Sequence, residues 1–388
     1  MPASLTPAYH FGRMWPMRIL VAPDSFGGTL TAREAAEAIA AGWSEAAPKD
    51  TVTARPLSDG GPGFVDVLHA ALGGTLVAVN VPDPLGRTVP AVILVTGDTA
   101  YVESAQAAGL HLVAPAERDP LAATTYGVGV LLAAAAEAGA RTIVTGLGGT
   151  ATNDGGAGAF AALGAGPVGE DGAALPYGAT PLLAVTGLAG HPQLRGAELV
   201  LAADVDNPML GINGASAGYG PQKGASREDV QLLDAALTRW SAVLERDLPG
   251  CPPGLGSLPG GGAAGGLGAA LLALGGRRES GIGLVRRLTG LDAALDAADL
   301  VITGEGACDW QSLRGKVMAG IAEAALERGV PCLVLAGRVD AGRRELAAAG
   351  VSAAYSLTEH LGSTEAAMSG ASDGLRLLAG RVAREWSS

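Results

Sequence analysis

Apolar and polar positions along the chain fall into two rhythms. From Met17 the run Met17-Arg18-Ile19-Leu20-Val21 is continuous enough for a buried parallel strand. Thr31 to Ala47 then reads as a helix, with Thr31 as N-cap and Glu34 three residues on completing a capping box. A short strand over Val52 to Pro56 comes next, so the opening has βαβ grammar. After Gly74 the rhythm shortens to TLVAVNV, AVILVTG and AYVES, punctuated by Pro82, Pro84, Gly86 and Pro90, which predicts short strands with antiparallel pairing. An alanine-rich helix opens near Thr124-Thr125-Tyr126-Gly127, and Thr142 to Thr145 reads as a buried strand. LVLAADVDNPML is a further apolar strand, and a helix is expected over Arg227 to Arg246. The last third returns to clean alternation: a strand at Leu300 to Thr303, then PCLVLAG, AAYSL and a terminal helix. These patterns predict an α/β protein in which a parallel-sheet domain, residues 17–75 plus 280–388, is interrupted by an inserted α/β domain with a mixed sheet over 76–279. Residues 1–16 have neither a basic start nor an apolar stretch and read as a disordered extension.

Composition agrees with two domains, since 388 residues exceed one ordinary core. Nearly half the residues are apolar but aromatics are only 4%, so the cores must be packed from Ala, Val, Leu and Ile. A net charge of −12 repels a polyanion and argues against nucleic acid as a partner. Cys251, Cys308 and Cys332 form no CxxC pair, and the five histidines show no ligand spacing, so neither a disulfide framework nor a zinc site is indicated. Without an apolar run of membrane-spanning length, the expected setting is cytoplasmic with no membrane partner.

The chemistry gathers at strand ends. Thr142 to Gly158 runs from a strand through Gly149, Thr150, Thr152, Asn153 and Asp154 into a helix, a turn able to cradle an anion with backbone N–H groups. A tight strand-to-helix connection would need the glycines alone, not the hydroxyls, amide and carboxylate. Asp24-Ser25 and Asp59 each come after a strand of the opening βαβ unit, so they are expected together in the crevice at the carboxyl edge. Asp204, Asp206 and Asn207 end another strand, a set suited to Mg²⁺ held partly through water. Lys223, beside glycines before a helix, is a phosphate contact or a solvated lysine. The stretch from Cys251 to Gly266 reads equally as a linker, a backbone cradle or a close-packing site. Beyond Thr303 stand Glu305, Asp309, Gln311, Ser312 and Lys316. Gly146-x-Gly148-x-x-Ala151 is too weak for a dinucleotide site, Gly214-Ala215-Ser216-Ala217-Gly218 lacks the strand of a nucleophile elbow, and no P-loop exists.

Taken together and in order, APDSFGGTLTA, SDGGPG, RDPLAATTYGVG, GGTATNDGGAG, ADVDNPMLGINGA, YGPQKGAS, GGAAGG and ADLVITGEGACDWQS give a chain that resembles the bacterial glycerate kinases from about Met17 to the end. The resemblance implies a Rossmann-like domain with a second α/β domain inserted, and an active site in the cleft between them. It also implies ATP-dependent, Mg²⁺-assisted phosphorylation of D-glycerate or a related small hydroxy acid, usually to 2-phosphoglycerate. Carried over by position, it points to Asp59, Asp204, Lys223 and Lys316 as catalytic. Asp24, Ser25, Gly149, Thr150, Thr152, Asn153, Asp154, Asn207, Glu305 and Asp309 fall to substrate or nucleotide binding, with Asp204 also on Mg²⁺ through water. It leaves a homo-oligomer open. Four positions depart from the pattern: Gly27 where a lysine is usual, Pro62 for a glutamate, Ala307 for an arginine, and Trp310 for a small polar residue. A non-catalytic ligand-binding or sensor protein is therefore the alternative reading.

Overall fold

The computed structural model describes residues 16–309, 312 and 317–387. In chain order the strands are β1 (Arg18–Val21), β2 (Thr51–Ala54), β3 (Thr75–Pro82), β4 (Thr88–Thr96), β5 (Thr99–Glu103), β6 (Thr142–Gly146) and β7 (Ala165–Val168). They continue as β8 (Gly187–Gly190), β9 (Glu198–Ala202), β10 (Arg277–Glu279), β11 (Leu300–Cys308), β12 (Cys332–Val339) and β13 (Ala353–Ser356). Most of residues 1–16, read as an extension, lie outside the described residues.

The chain divides into two compact units. The first takes in the chain up to Pro56 and, among the described residues, Leu291 onward except Val317; the second is Leu57–Gly290. Residues 57–74, expected with the parallel sheet, thus group with the inserted one, as does the helix Gly281–Thr289. Both stretches carry apolar faces that pack on the second unit's own elements, Val65, Leu68, Leu284 and Val285 being buried.

In the first unit β13-β12-β11-β1-β2 form a fully parallel sheet. Counted within the unit this is the doubly wound order 2-1-3-4-5, whose direction reverses between β1 and β11. Its apolar strands read as near-continuous runs because helices cover the sheet; Ile19, Val21, Ile302, Leu333 and Leu335 share a core with Trp43 of the helix Ala32–Ala46 and Leu375 of the helix Ala371–Trp386. The predicted capping box is present, Thr31 accepting from the Glu34 N–H while the Glu34 carboxylate accepts from the Thr31 N–H. One strand outruns its expectation: β11 continues past Thr303 through Gly304, Glu305 and Gly306 to Cys308, still in register with β12. Glycine usually weakens a strand, but here it is required, because a Cβ on Gly304 would come within 2.1 Å of the Leu335 carbonyl oxygen.

In the second unit the order β10-β9-β6-β5-β4-β3 makes a mixed sheet, antiparallel over β3, β4 and β5 and parallel from β5 to β10. β7 and β8 pair as a separate ribbon. Phe160 and Trp240 meet edge to face at 5.7 Å in a core otherwise built mainly of Ala, Val and Leu, with Ile93, Ile143 and Met209. No helix among the described residues is long and apolar enough to cross a membrane.

Candidate active site

Four parallel strands of the second unit stop on one line: Glu103 of β5 is level with Gly146 of β6, Gly146 with Ala202 of β9, and Ala202 with Glu279 of β10. The loops leaving these strands therefore emerge at a common edge. The loop 57–63 lies directly on it. Gly148 N donates to Gly60 O at 3.1 Å, and a Cβ on Gly146 would meet Gly60 O at 2.4 Å, so side chains are excluded from both surfaces.

After β6 comes the turn bearing Gly149 to Asp154. Asp154 is fully buried and accepts from the N–H groups of Thr125 (2.8 Å), Gly156 (3.1 Å) and Gly158 (3.1 Å) and from the Thr125 hydroxyl (2.9 Å). Burial pushes its carboxyl up, against the pull of those donors, and its oxygens are spent on shaping the turn. Lys223 is buried, not solvated: its Nζ donates to Thr152 O at 2.6 Å and to Thr150 Oγ1 at 3.4 Å. Burial drives it down to about 7, only partly opposed by the Asp154 charge. Asn153 Nδ2 donates to Ser216 Oγ at 3.0 Å, which accounts for the serine of the GxSxG-like run as a buried partner. Among the described residues Thr152 Oγ1 and Asn153 Oδ1 are buried with no hydrogen-bond partner. The glycine stretch ending at Gly266 is a close-packing site: Gly155 N donates to Gly265 O at 3.0 Å, and a Cβ on Gly265 would lie 2.0 Å from Thr152 O.

After β9, Asp204 accepts from Ser280 Oγ at 2.6 Å and from Ile282 N at 2.8 Å. Burial first, and the charge of Asp59 to a lesser degree, raise it to about 6. Asp59 stands across Gly281, where a Cβ would lie 2.0 Å from Asp59 O and 3.1 Å from Asp204 Oδ2; its own Oδ1 accepts from Gly61 N at 3.0 Å. Asn207 ties its own loop, accepting from Tyr219 OH and donating to Asn213 O, both at 2.7 Å, while Asp206 turns outward to Arg278. Among the described residues no group of three or more His, Cys, Asp or Glu could cage a metal. Asp59 and Asp204 meet the smaller demand of Mg²⁺, which takes one or two carboxylates and fills its other positions with water and phosphate. Ser280 and Glu103 join the candidates only in three dimensions; Ser280 was findable as an N-cap, since it accepts from Gly283 N at 3.0 Å, whereas a single acid ending AYVES carries no such signal.

The first unit assembles its own candidates where its strand order reverses. Asp24 comes after β1 and its N–H donates to Gly304 O at 2.8 Å; Ser25 N donates to Asp24 Oδ1 at 2.6 Å. Glu305 is buried on β11, and Asp309 accepts from Ser312 N at 3.2 Å. Asp24, Ser25, Glu305 and Asp309 thus belong to one strand-end region, at the switch point where such sheets bind ligands. Asp59, expected in one crevice with Asp24, lies in the second unit and neighbours Asp204, because its loop runs on into the helix Phe64–Leu72 of that unit. Lys316, Gln311 and Trp310 lie outside the described residues.

Comparison with known proteins decides the kinship. Residues 19–387 match the glycerate kinase family. The chain is 43% identical over 371 residues to a Mycobacterium tuberculosis protein of no stated function, covering 95% of this chain and 91% of that one. It is 39% identical over 367 residues to the glycerate 2-kinase of Escherichia coli, covering 92% and 95%. A crystal structure from Salmonella typhimurium LT2, provisionally named glycerate kinase 2, superposes with a TM-score of 0.76 at 39% identity, covering 96% and 98%. The chain belongs to the glycerate kinase family. It is a kinase-like phosphotransferase.

The departures from the glycerate kinase pattern now have physical content. Pro62 lies against the turn after β6, since a Cβ on Gly149 would meet its ring at 2.9 Å. Gly27 has a φ of +36°, and nothing stands within 4 Å of where its Cβ would be. Ala307 lies level with Arg338 of β12, whose guanidinium pairs with Asp340 at 2.9 Å.

Proposed function

We propose that this member of the glycerate kinase family transfers the γ-phosphoryl group of ATP to D-glycerate, or to a closely related small hydroxy acid, giving 2-phosphoglycerate from glycerate. The observation that carries this reading is the Asp59 and Asp204 pair, with Asp204 raised to about 6, set on the same strand-end line as the Thr150 to Asp154 turn and buried Lys223. In this reading the acceptor hydroxyl oxygen attacks the γ-phosphorus, the bond to the ADP oxygen breaks, and the hydroxyl proton passes to the Asp204 carboxylate. Lys223, Thr150, Thr152 and Asn153 hold anionic oxygens of the ligand, which chiefly supplies position and charge balance. Within the first unit, Asp24, Ser25, Glu305 and Asp309 are a candidate nucleotide- or substrate-binding set of their own. Mg²⁺, held by Asp204 and Asp59, would neutralise phosphate charge.

ADP release by the purified chain with ATP, Mg²⁺ and D-glycerate tests this. Turnover that falls at least about 100-fold in Asp204→Asn is expected; absence of ADP release across a panel of small hydroxy acids would sink it. The open space at Gly27 supports a second reading, a ligand-binding relative without catalysis. Glycerate or nucleotide binding without turnover, and activity gained in Gly27→Lys, would favour that one.

A further inference from the structure

Glu103 ends β5 with its carboxylate turned onto the loop that carries Asp59. Its two oxygens divide between two backbone donors, Oε1 accepting from Gly63 N at 3.1 Å and Oε2 from Val65 N at 3.2 Å. These N–H groups open the helix Phe64–Leu72, whose N-cap is Gly63, with a φ of +89° and no side chain to offer. The acceptor that such an end needs is therefore supplied from 40 residues away in sequence.

Glu103 is almost fully buried, and no cation among the described residues stands as its partner. The side chains that bear on it are Asp66, a like charge, and Gln106, a hydrogen-bond donor; burial dominates and pushes it up to about 7. Burying a carboxylate without a counter-ion is costly, and a helix cap alone could be met by an ordinary serine at the N-cap. The loop's first half is held by close backbone approaches, Gly148 N on Gly60 O, Gly60 against Ala202 O and Gly281 against Asp59 O, with Ser58 Oγ and Asp59 Oδ1 bonding inside the loop. On its second half the Pro62 ring lies beside Gly149, and Glu103 supplies side-chain hydrogen bonds from outside the loop.

We propose that Glu103 is a positioning residue for phosphoryl transfer: by clamping the amides of Gly63 and Val65 it fixes the 57–63 loop, and with it the placement of Asp59 beside Asp204. This deepens the proposed phosphotransfer and rests on it for the kinetic half of its test. Gln in place of Glu103 keeps one acceptor oxygen but turns the other into an NH₂, which cannot accept, so one of the two amides loses its partner.

The test uses the full chain with Glu103→Gln. Amide hydrogen exchange over residues 57–68 is expected to quicken at least tenfold while the rest of the second unit is unchanged, and kcat to fall at least tenfold with KM for both substrates within threefold. Unchanged exchange over 57–68 overturns the clamp. Quickened exchange with unchanged kcat reduces Glu103 to a helix cap and overturns the positioning role. Should Glu103→Gln fail to fold, Glu103→Asp, which keeps the charge but withdraws the oxygens by about one C–C bond, carries the same expectations. If the wild-type chain turns over no hydroxy acid, the phosphotransfer reading fails, and the exchange comparison still decides the clamp.

Discussion

At Lys223 burial and charge disagree. Its ammonium is surrounded by neutral oxygens, Thr152 O at 2.6 Å and Thr150 Oγ1 at 3.4 Å, so the fold favours the uncharged amine and lowers it to about 7. A depressed folded-state value contributes stability that is present above the unfolded value of about 10.4 and lost as pH falls toward 7. Relative to Lys223→Met, the wild-type chain is expected to gain up to about 1.4 kcal/mol per pH unit between pH 7 and 10 in denaturant titrations. Parallel pH dependences for the two proteins would contradict this burial. An arriving anion reverses the balance by favouring the ammonium, which suits a phosphate-handling turn. Asp204 gives the complementary expectation: if its carboxylate takes the hydroxyl proton, kcat/KM should fall away below about pH 6. Ser280→Ala removes the 2.6 Å donor that holds Asp204 down, so this acid limb should move to higher pH, read from initial rates between pH 5 and 8.

At the scale of elements, the close approaches of glycine backbone set what can change. Gly265 has a φ of +69°, and its Cβ would stand 2.0 Å from Thr152 O, so Gly265→Ala must push the Thr150 to Asp154 turn away from the glycine stretch behind it. A loss of at least about 3 kcal/mol is expected in denaturant unfolding, above the roughly 1–2 kcal/mol that alanine costs in a left-handed conformation alone; a loss no larger than that strain would mean that the packing yields. Much at this scale was legible in the chain. The Thr31 and Glu34 box, the antiparallel trio after Gly74 and the strand ends bearing Asp24, Asp154 and Asp204 all arise from local patterns that tertiary packing does not override. The parts that were not legible depend on distant partners. β11 runs on to Cys308 because β12 continues beside it, Lys223 is buried because the 3₁₀ turn Pro221–Lys223 packs on the Thr152 turn, and Glu103 finds its amides 40 residues back. Nothing in the glycine-rich or singly charged stretches themselves encodes those meetings.

For the whole molecule, each unit has a core of its own, one around Trp43, Ile302 and Leu335 and the other around Phe160, Trp240 and Leu237. Leu335→Ala and Phe160→Ala should each cost about 2–5 kcal/mol by leaving a cavity. Peptide-resolved hydrogen exchange should first lose protection in the unit that carries the change. Equal loss in both units would mean that the two cores melt as one. The net charge of −12 disfavours polyanions, so in the proposed reaction small anions would be met by local groups such as Lys223. The common finishing line of β5, β6, β9 and β10 has a geometric corollary. Adding one residue to any of these strands would shift the loop beyond it by about 3.3 Å and turn its side chains to the opposite face of the sheet. Exchanging a side chain in place leaves these loops where they stand, whereas an insertion at this edge moves every group that the loop beyond it carries.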